Sequence, residues 1–122
     1  MPSRHVLIVE DNADSRDVLR TALELDGHRV DSAADGPEGV ELALARRPEI
    51  VLIDIGLPGV SGYDVARQIR SALGAGVVLI AVTGYGGAED RRRALEAGFD
   101  THLVKPIDPT VLTQLIAAQR GG

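Results

Sequence analysis

Four kinds of side chain able to do chemistry stand at the ends of short apolar runs in this sequence. Asp54 closes "EIVLID" (49–54), Glu10 and Asp11 follow "HVLIV", Thr83 follows "LIAV" in "AVTGYG", and Lys105 closes "THLVK" (101–105). If the first and third runs are neighbouring strands, three carboxylates converge. Like charges that close repel and raise one another's pKa unless a cation intervenes. A hard divalent cation bound through oxygen, Mg2+ or Mn2+, meets that need, using one or two carboxylates, a backbone carbonyl, waters and a phosphoryl oxygen. Either acid alone reads more simply as a cap on the following turn. A lone strand-end Thr or Lys is ordinarily just solvated. Together, however, acid, acid, hydroxyl and ammonium are the set that phosphoryl chemistry uses. A carboxylate can serve as the nucleophile. The cation and Lys105 would offset charge on the equatorial oxygens, and Thr83 would hydrogen-bond one of them.

Such a constellation needs strands that end together. "HVLIVE" (5–10), "HRVDSA" (28–33), "EIVLID" (49–54), "GVVLIAV" (76–82) and "THLVK" (101–105) read as five strands. The first, third and fourth are nearly all Val, Leu and Ile, as in strands covered on both faces. The second alternates, as an edge strand does. Between the runs, Val18, Leu19, Ala22 and Leu23 share one helical face, as do Val40, Ala43 and Leu44, and then Val111, Leu112, Leu115 and Ile116. Gly36-Pro37 and Asp108-Pro109 open helices with Pro at the first helical position. Gly27 and Gly98 sit where helices end. Five βα repeats imply a doubly wound parallel sheet with helices on both faces. In such sheets ligands bind beyond the carboxyl ends of the strands, where the candidate residues stand.

The bulk numbers agree with one domain. The chain has 122 residues, 44% hydrophobic and 25% charged, ordinary values for a globular protein. Aromatics are only 2%, so the core must be built from Val, Leu, Ile and Ala. With no cysteine there is no disulfide framework and no Cys-based metal or nucleophile site. No apolar run approaches the ~18 residues of a membrane span, and the apolar part of "MPSRHVLIVED" is too short for a secretory signal. A cytoplasmic location and no membrane partner are the expectation. A net charge of −5 argues against nucleic-acid binding by the domain itself. Only "RGG" at the end reads as tail, and no output domain is expected within residues 1–122.

"VEDN" (9–12), "DIGLPGVSG" (54–62), "VTG" (82–84) and "VKP" (104–106) occur in order, and through them the chain resembles a response-regulator receiver domain of the CheY-like kind over essentially its whole length. The resemblance implies a flavodoxin-like (βα)5 domain with strand order 2-1-3-4-5. It implies Asp54 as phosphoacceptor, Asp11 as a metal ligand, Glu10 as the other member of the acidic pair, and the backbone carbonyl of Gly56 as a third protein ligand. Thr83 becomes the switch hydroxyl, Lys105 the phosphate-contacting lysine, and the bond before Pro106 cis. The partners implied are a sensor histidine kinase or a histidine phosphotransfer protein, with an unspecified downstream protein target.

Some positions depart from the family. His102 stands where Tyr or Phe is common, three residues before the lysine; it could still pivot, or simply sit exposed. Gly56 and Tyr85 flank the phosphoryl position, where side chains tune how fast water removes the group. Arg91, Arg92 and Arg93 would be a docking face or a solvated face, and consecutive helical residues favour the latter. His5 and His28, at strand beginnings, read as structural. The expectation is therefore a phosphorylation-operated signalling module, with no enzymatic activity of its own beyond assisted phosphotransfer and autodephosphorylation. The "DIGLPGVSGYDVA" and "HLVKPID" wording resembles receivers of hybrid sensor kinases more than those of DNA-binding regulators. Alternatives are a Mg2+-dependent aspartyl-phosphate phosphohydrolase, which Gly56 disfavours because that position should carry an acid, a flavin module, which the few aromatics disfavour, and a phosphate-independent docking module.

Overall fold

The apolar runs form five parallel strands: β1 (His5–Val9), β2 (Arg29–Ala33), β3 (Ile50–Asp54), β4 (Val78–Thr83) and β5 (Thr101–Val104). They are joined in one sheet of order β2-β1-β3-β4-β5. Five helices complete the pattern: α1 (Ala13–Leu25), α2 (Gly36–Arg46), α3 (Gly62–Leu73), α4 (Ala88–Ala97) and α5 (Pro109–Ala118). This architecture comes from a computed structural model that describes residues 3–84 and 87–119.

Alternation along the strands divides the core in two. Val6, Ile8, Ile50, Leu52, Ile80 and Val82 face one side, where Leu19 and Leu23 of α1 and Leu112 and Ile116 of α5 cover them. Leu7, Val9, Val51, Ile53, Leu79 and Ala81 face the other, beneath α2, α3 and α4. β3 is buried at every position because it lies mid-sheet with both faces covered. Its register pairs Ile53 with Val9 of β1. The next residues along the two chains are Asp54 and Glu10, so the sheet itself delivers two acids side by side.

Three helical residues expected on the inner faces are instead open: Val18 is 58% exposed, Val111 48% and Leu44 41%. Each lies at the rim of its stripe. On α1 the neighbours Leu19 and Leu23, four apart, take the central line. Helix ends follow the punctuation. Asn12, Asp35, Ser61 and Asp108 cap α1, α2, α3 and α5 with their side chains. Pro109 opens α5 at its first position, whereas Gly36 takes that place in α2 and Pro37 follows it. Gly98, with φ of 106°, closes α4 in the left-handed region. β4 begins at Val78, later than expected, because Gly74–Gly76 form a 3₁₀ turn first.

Candidate functional site

Glu10 lies just past β1, and its amide still donates to Ala33 O at 3.1 Å. Asp54 is the last residue of β3. Thr83 ends β4, and its carbonyl accepts the Lys105 amide at 2.8 Å, which carries the β4–β5 ladder one residue past β5. Four strand ends thus set Glu10, Asp54, Thr83 and Lys105 along one rim, with Asp11 leading toward α1.

Carboxylate oxygens of Glu10, Asp11 and Asp54 lie within 4.8 Å of one another. Glu10 is 3% and Asp54 7% exposed, while Asp11 is open to solvent. Asp54 is held at both oxygens: Oδ1 accepts the Gly56 amide at 2.9 Å, and Oδ2 accepts from Lys105 Nζ at 3.2 Å. Lys105 Nζ also stands 3.5 Å from Glu10 Oε1. Glu10 Oε2 accepts the Asn12 amide at 3.3 Å.

The electrostatics follow from this crowding. Burial, reinforced by the hydrogen bond to Asp54 and that carboxylate's charge, pushes the Glu10 carboxyl up to about 7, against the Asn12 amide and Lys105. Burial works against the Lys105 ammonium, but Asp54 and Glu10 outweigh it and its pKa rises. Two buried acids share one ammonium, so negative charge remains. Hard oxygen donors, two buried and one open, fit a small divalent cation such as Mg2+. Glu10, Asp11 and Asp54 are the side chains placed to hold it.

The cleft is open on the α1 side. A groove of about 510 Å³ runs from Glu10 and Lys105 past Asp14, Val18, Leu19 and Ile107. The Lys105–Pro106 bond is cis. Gly56 sits exposed in the turn, and a Cβ there would approach only Asp54 Oδ1, at 3.6 Å. Gly62 is different: a Cβ would come within 2.7 Å of Ile55 Cα and closer still to the Asp54 carbonyl. Glycine lets α3 start against the turn that carries the acid.

His102 lies away from the acids, half-buried on β5 and opposite Ala81. With Thr83, Ala94 and Tyr63 it surrounds a small gap beneath α4. Tyr85 lies outside the described residues. Of the three arginines, Arg92 pairs with Glu89 and with Glu96 at 2.7 Å, and Arg93 covers the Tyr63 ring at 4.6 Å. His28 and His5 are engaged near the opposite edge of the sheet: His28 Nδ1 accepts the Arg4 amide at 3.0 Å, and His5 Nε2 meets Asp31 Oδ2 at 2.6 Å.

Two contacts carried no sequence signal. The Gly56 amide on Asp54 is a backbone donor. Arg16, on α1, donates from Nη1 to the Glu10 carbonyl at 3.0 Å, and its position in a helix reads as an ordinary solvated arginine.

Comparison with known proteins agrees with this geometry. The chain is 38% identical over 122 residues to the transcriptional regulatory protein AfsQ1 of Streptomyces coelicolor; the match covers 97% of this chain and 51% of that protein. A CheY-like receiver domain protein of Methanospirillum hungatei JF-1 superposes with TM-score 0.88 at 31% identity, covering 95% and 92% of the two chains. The receiver domain of sensor histidine kinase PA1611 of Pseudomonas aeruginosa PAO1, with a magnesium ion in its active-site cleft, superposes with TM-score 0.84 at 33% identity, covering 94% and 95%. The chain spans about half the length of AfsQ1 and 86% of a similar Leptolyngbya boryana protein. The family model of the response regulator receiver domain matches residues 6–117, and this chain belongs to that family.

Proposed function

We propose that Asp54 accepts a phosphoryl group from a phosphohistidine on a sensor histidine kinase or a histidine phosphotransfer protein. The observation that carries this is the Asp54 carboxylate, fixed between the Gly56 amide and the Lys105 ammonium, beside two further acids at an open rim. An Asp54 oxygen attacks phosphorus, a P–O bond forms, and the P–N bond breaks with its electron pair leaving on the imidazole. Lys105, freed from the carboxylate by formation of the acyl phosphate, follows the charge to a phosphoryl oxygen. Thr83 offers its hydroxyl to another. Bound Mg2+, or Mn2+, held by Asp11 and Asp54 with Glu10 beside them and the Gly56 carbonyl completing the protein ligands, would neutralise charge on the phosphoryl oxygens.

The product biases the surface of α4, β5 and α5 toward one of two arrangements, which a downstream protein reads. His102 and Pro106 belong to that switching region. The domain assists its own phosphotransfer and dephosphorylation and carries no other activity. Among the described residues no helix is long and apolar enough to cross a membrane; we infer a cytoplasmic module.

The test is incubation with acetyl phosphate and Mg2+, followed by intact mass, on the parent and on Asp54→Ala. One added phosphoryl group is expected in the parent, dependent on Mg2+ and missing in the variant. Should the parent stay unmodified and also fail to bind beryllofluoride, the domain is a phosphate-independent docking module.

A further inference from the structure

We propose that Arg16 is a positioning residue for the metal ligand Asp11, an inference that rests on the reading of the site above. The β1–β3 register closes at Val9 and Ile53. Beyond it the chain must turn into α1 within three residues, and Asp11 sits in the middle of that turn, open to solvent. Its aim is therefore set by the peptides on either side.

Arg16 grips both sides. Its backbone amide donates to Asn12 O at 2.9 Å, as the first turn of α1 requires. Its side chain reaches back to donate from Nη1 to Glu10 O at 3.0 Å. Glu10 is held at its amide by Ala33 O, and Asn12 is held by the Glu10 carboxylate and caps Ser15 N at 2.9 Å. The Glu10 carbonyl is fixed by a side chain from another element. It belongs to the peptide that leads into Asp11. Releasing it frees that peptide to rotate, and with it the direction of the Asp11 carboxylate.

The proposal separates sharply from simple electrostatics. A guanidinium hydrogen-bonded to the Glu10 carbonyl brings positive charge to the loop that carries Asp11, and that charge opposes a cation. If charge were all that Arg16 contributed, removing it would tighten Mg2+ binding. A positioning role demands the opposite sign.

The experiment is calorimetric titration of Mg2+ alone into the parent, Arg16→Met and Arg16→Lys, with amide hydrogen exchange of Asp11 and Asn12 in the metal-free proteins. Arg16→Met is expected to bind Mg2+ about tenfold more weakly, the lower end of what losing an outer hydrogen-bond partner costs a metal site. Asp11 and Asn12 amides should exchange faster while the unfolding midpoint holds. Arg16→Lys, which keeps one donor, should recover part of the affinity. Equal or tighter binding by Arg16→Met overturns the assignment, as does a loss of affinity that merely tracks a loss of stability in both variants. A parent that binds no Mg2+ overturns the reading of the whole site, and the role of Arg16 with it.

Discussion

Glu10 carries the sharpest conflict in the molecule, a carboxyl buried against a second carboxyl with one shared ammonium to offset them. Its pKa, pushed from 4.5 up to about 7 chiefly by burial, ties metal-free stability to pH. A carboxyl whose folded pKa lies above its unfolded value holds its proton more tightly when folded. That stability is fully present below about pH 4.5 and is lost as pH rises through about 7. Urea unfolding of the metal-free protein should therefore show falling stability across this window, and Glu10→Gln should flatten the fall. An identical slope in parent and variant would sink the assignment. Adding Mg2+ should restore the parent most at the upper end, where the carboxylates are ionised. At this scale the acids, Thr83 and Lys105 were legible as residue types at strand ends. The Gly56 amide on Asp54 and the Arg16 donor on Glu10 were not, because a backbone N–H has no side-chain signature and an arginine on a helix has many uses.

Elements aim these groups, and the start of α3 shows how tightly. Gly62 opens the helix directly on the turn after β3, with its amide donating to Ile55 O at 3.2 Å. Its space is bounded by Asp54 and Ile55 backbone, which cannot swing aside as a side chain would. Gly62→Ala should cost about 1–3 kcal/mol of stability, the usual range for overpacking. It should also slow phosphorylation of the folded fraction, because the atoms that must move are those carrying Asp54. By contrast Gly39→Ala, which meets the Val9 side chain, should destabilise while leaving the phosphorylation rate of the folded protein alone. Equal phosphorylation rates in parent and Gly62→Ala would sever this link. The helices were legible in outline from spacing and caps, and their inner faces only in part. Val18 and Val111 have the right spacing but fall at stripe edges, which depends on how each helix is rotated on the sheet. Arg70 escaped notice for a similar reason. Its guanidinium gathers the carbonyls of Gly74, Val77 and Gly98 and the Asp100 carboxylate from two stretches of chain, a role set by tertiary approach alone.

The whole molecule divides its tasks between two poles of one sheet. Carboxyl ends of β1, β3, β4 and β5 carry the acids, hydroxyl and ammonium, and a groove that starts at Glu10 and Lys105 is left open on the α1 side. The amino ends carry closure: Arg4 bridges Glu49 at 3.5 Å and reaches Ala117 O at 3.4 Å, and its amide donates to His28 Nδ1. That last bond places the imidazole proton on Nε2, which stands 3.4 Å from Asp26 Oδ2. The strand order was legible through the family resemblance, and the observed pairing of β1 with β3 meets the condition under which the acids at their ends converge. The amino pole was not, since nothing in the spacing of Arg4, His28 and Glu49 announces that they meet. Between the poles lie strands buried on both faces, stiff enough that damage at one end should not reach the other. His28 is 6% exposed, so His28→Ala leaves a cavity and an orphaned Arg4 amide, a loss of about 2–4 kcal/mol. Under conditions where the variant is still folded, its Mg2+ affinity and the rate at which Asp54 takes phosphate from acetyl phosphate should match the parent. Denaturant midpoints and phosphorylation rates measured on the same samples decide it. If chemistry falls in step with stability while the far-ultraviolet spectrum stays native, the sheet is no rigid base, and the amino pole helps to hold the site in shape.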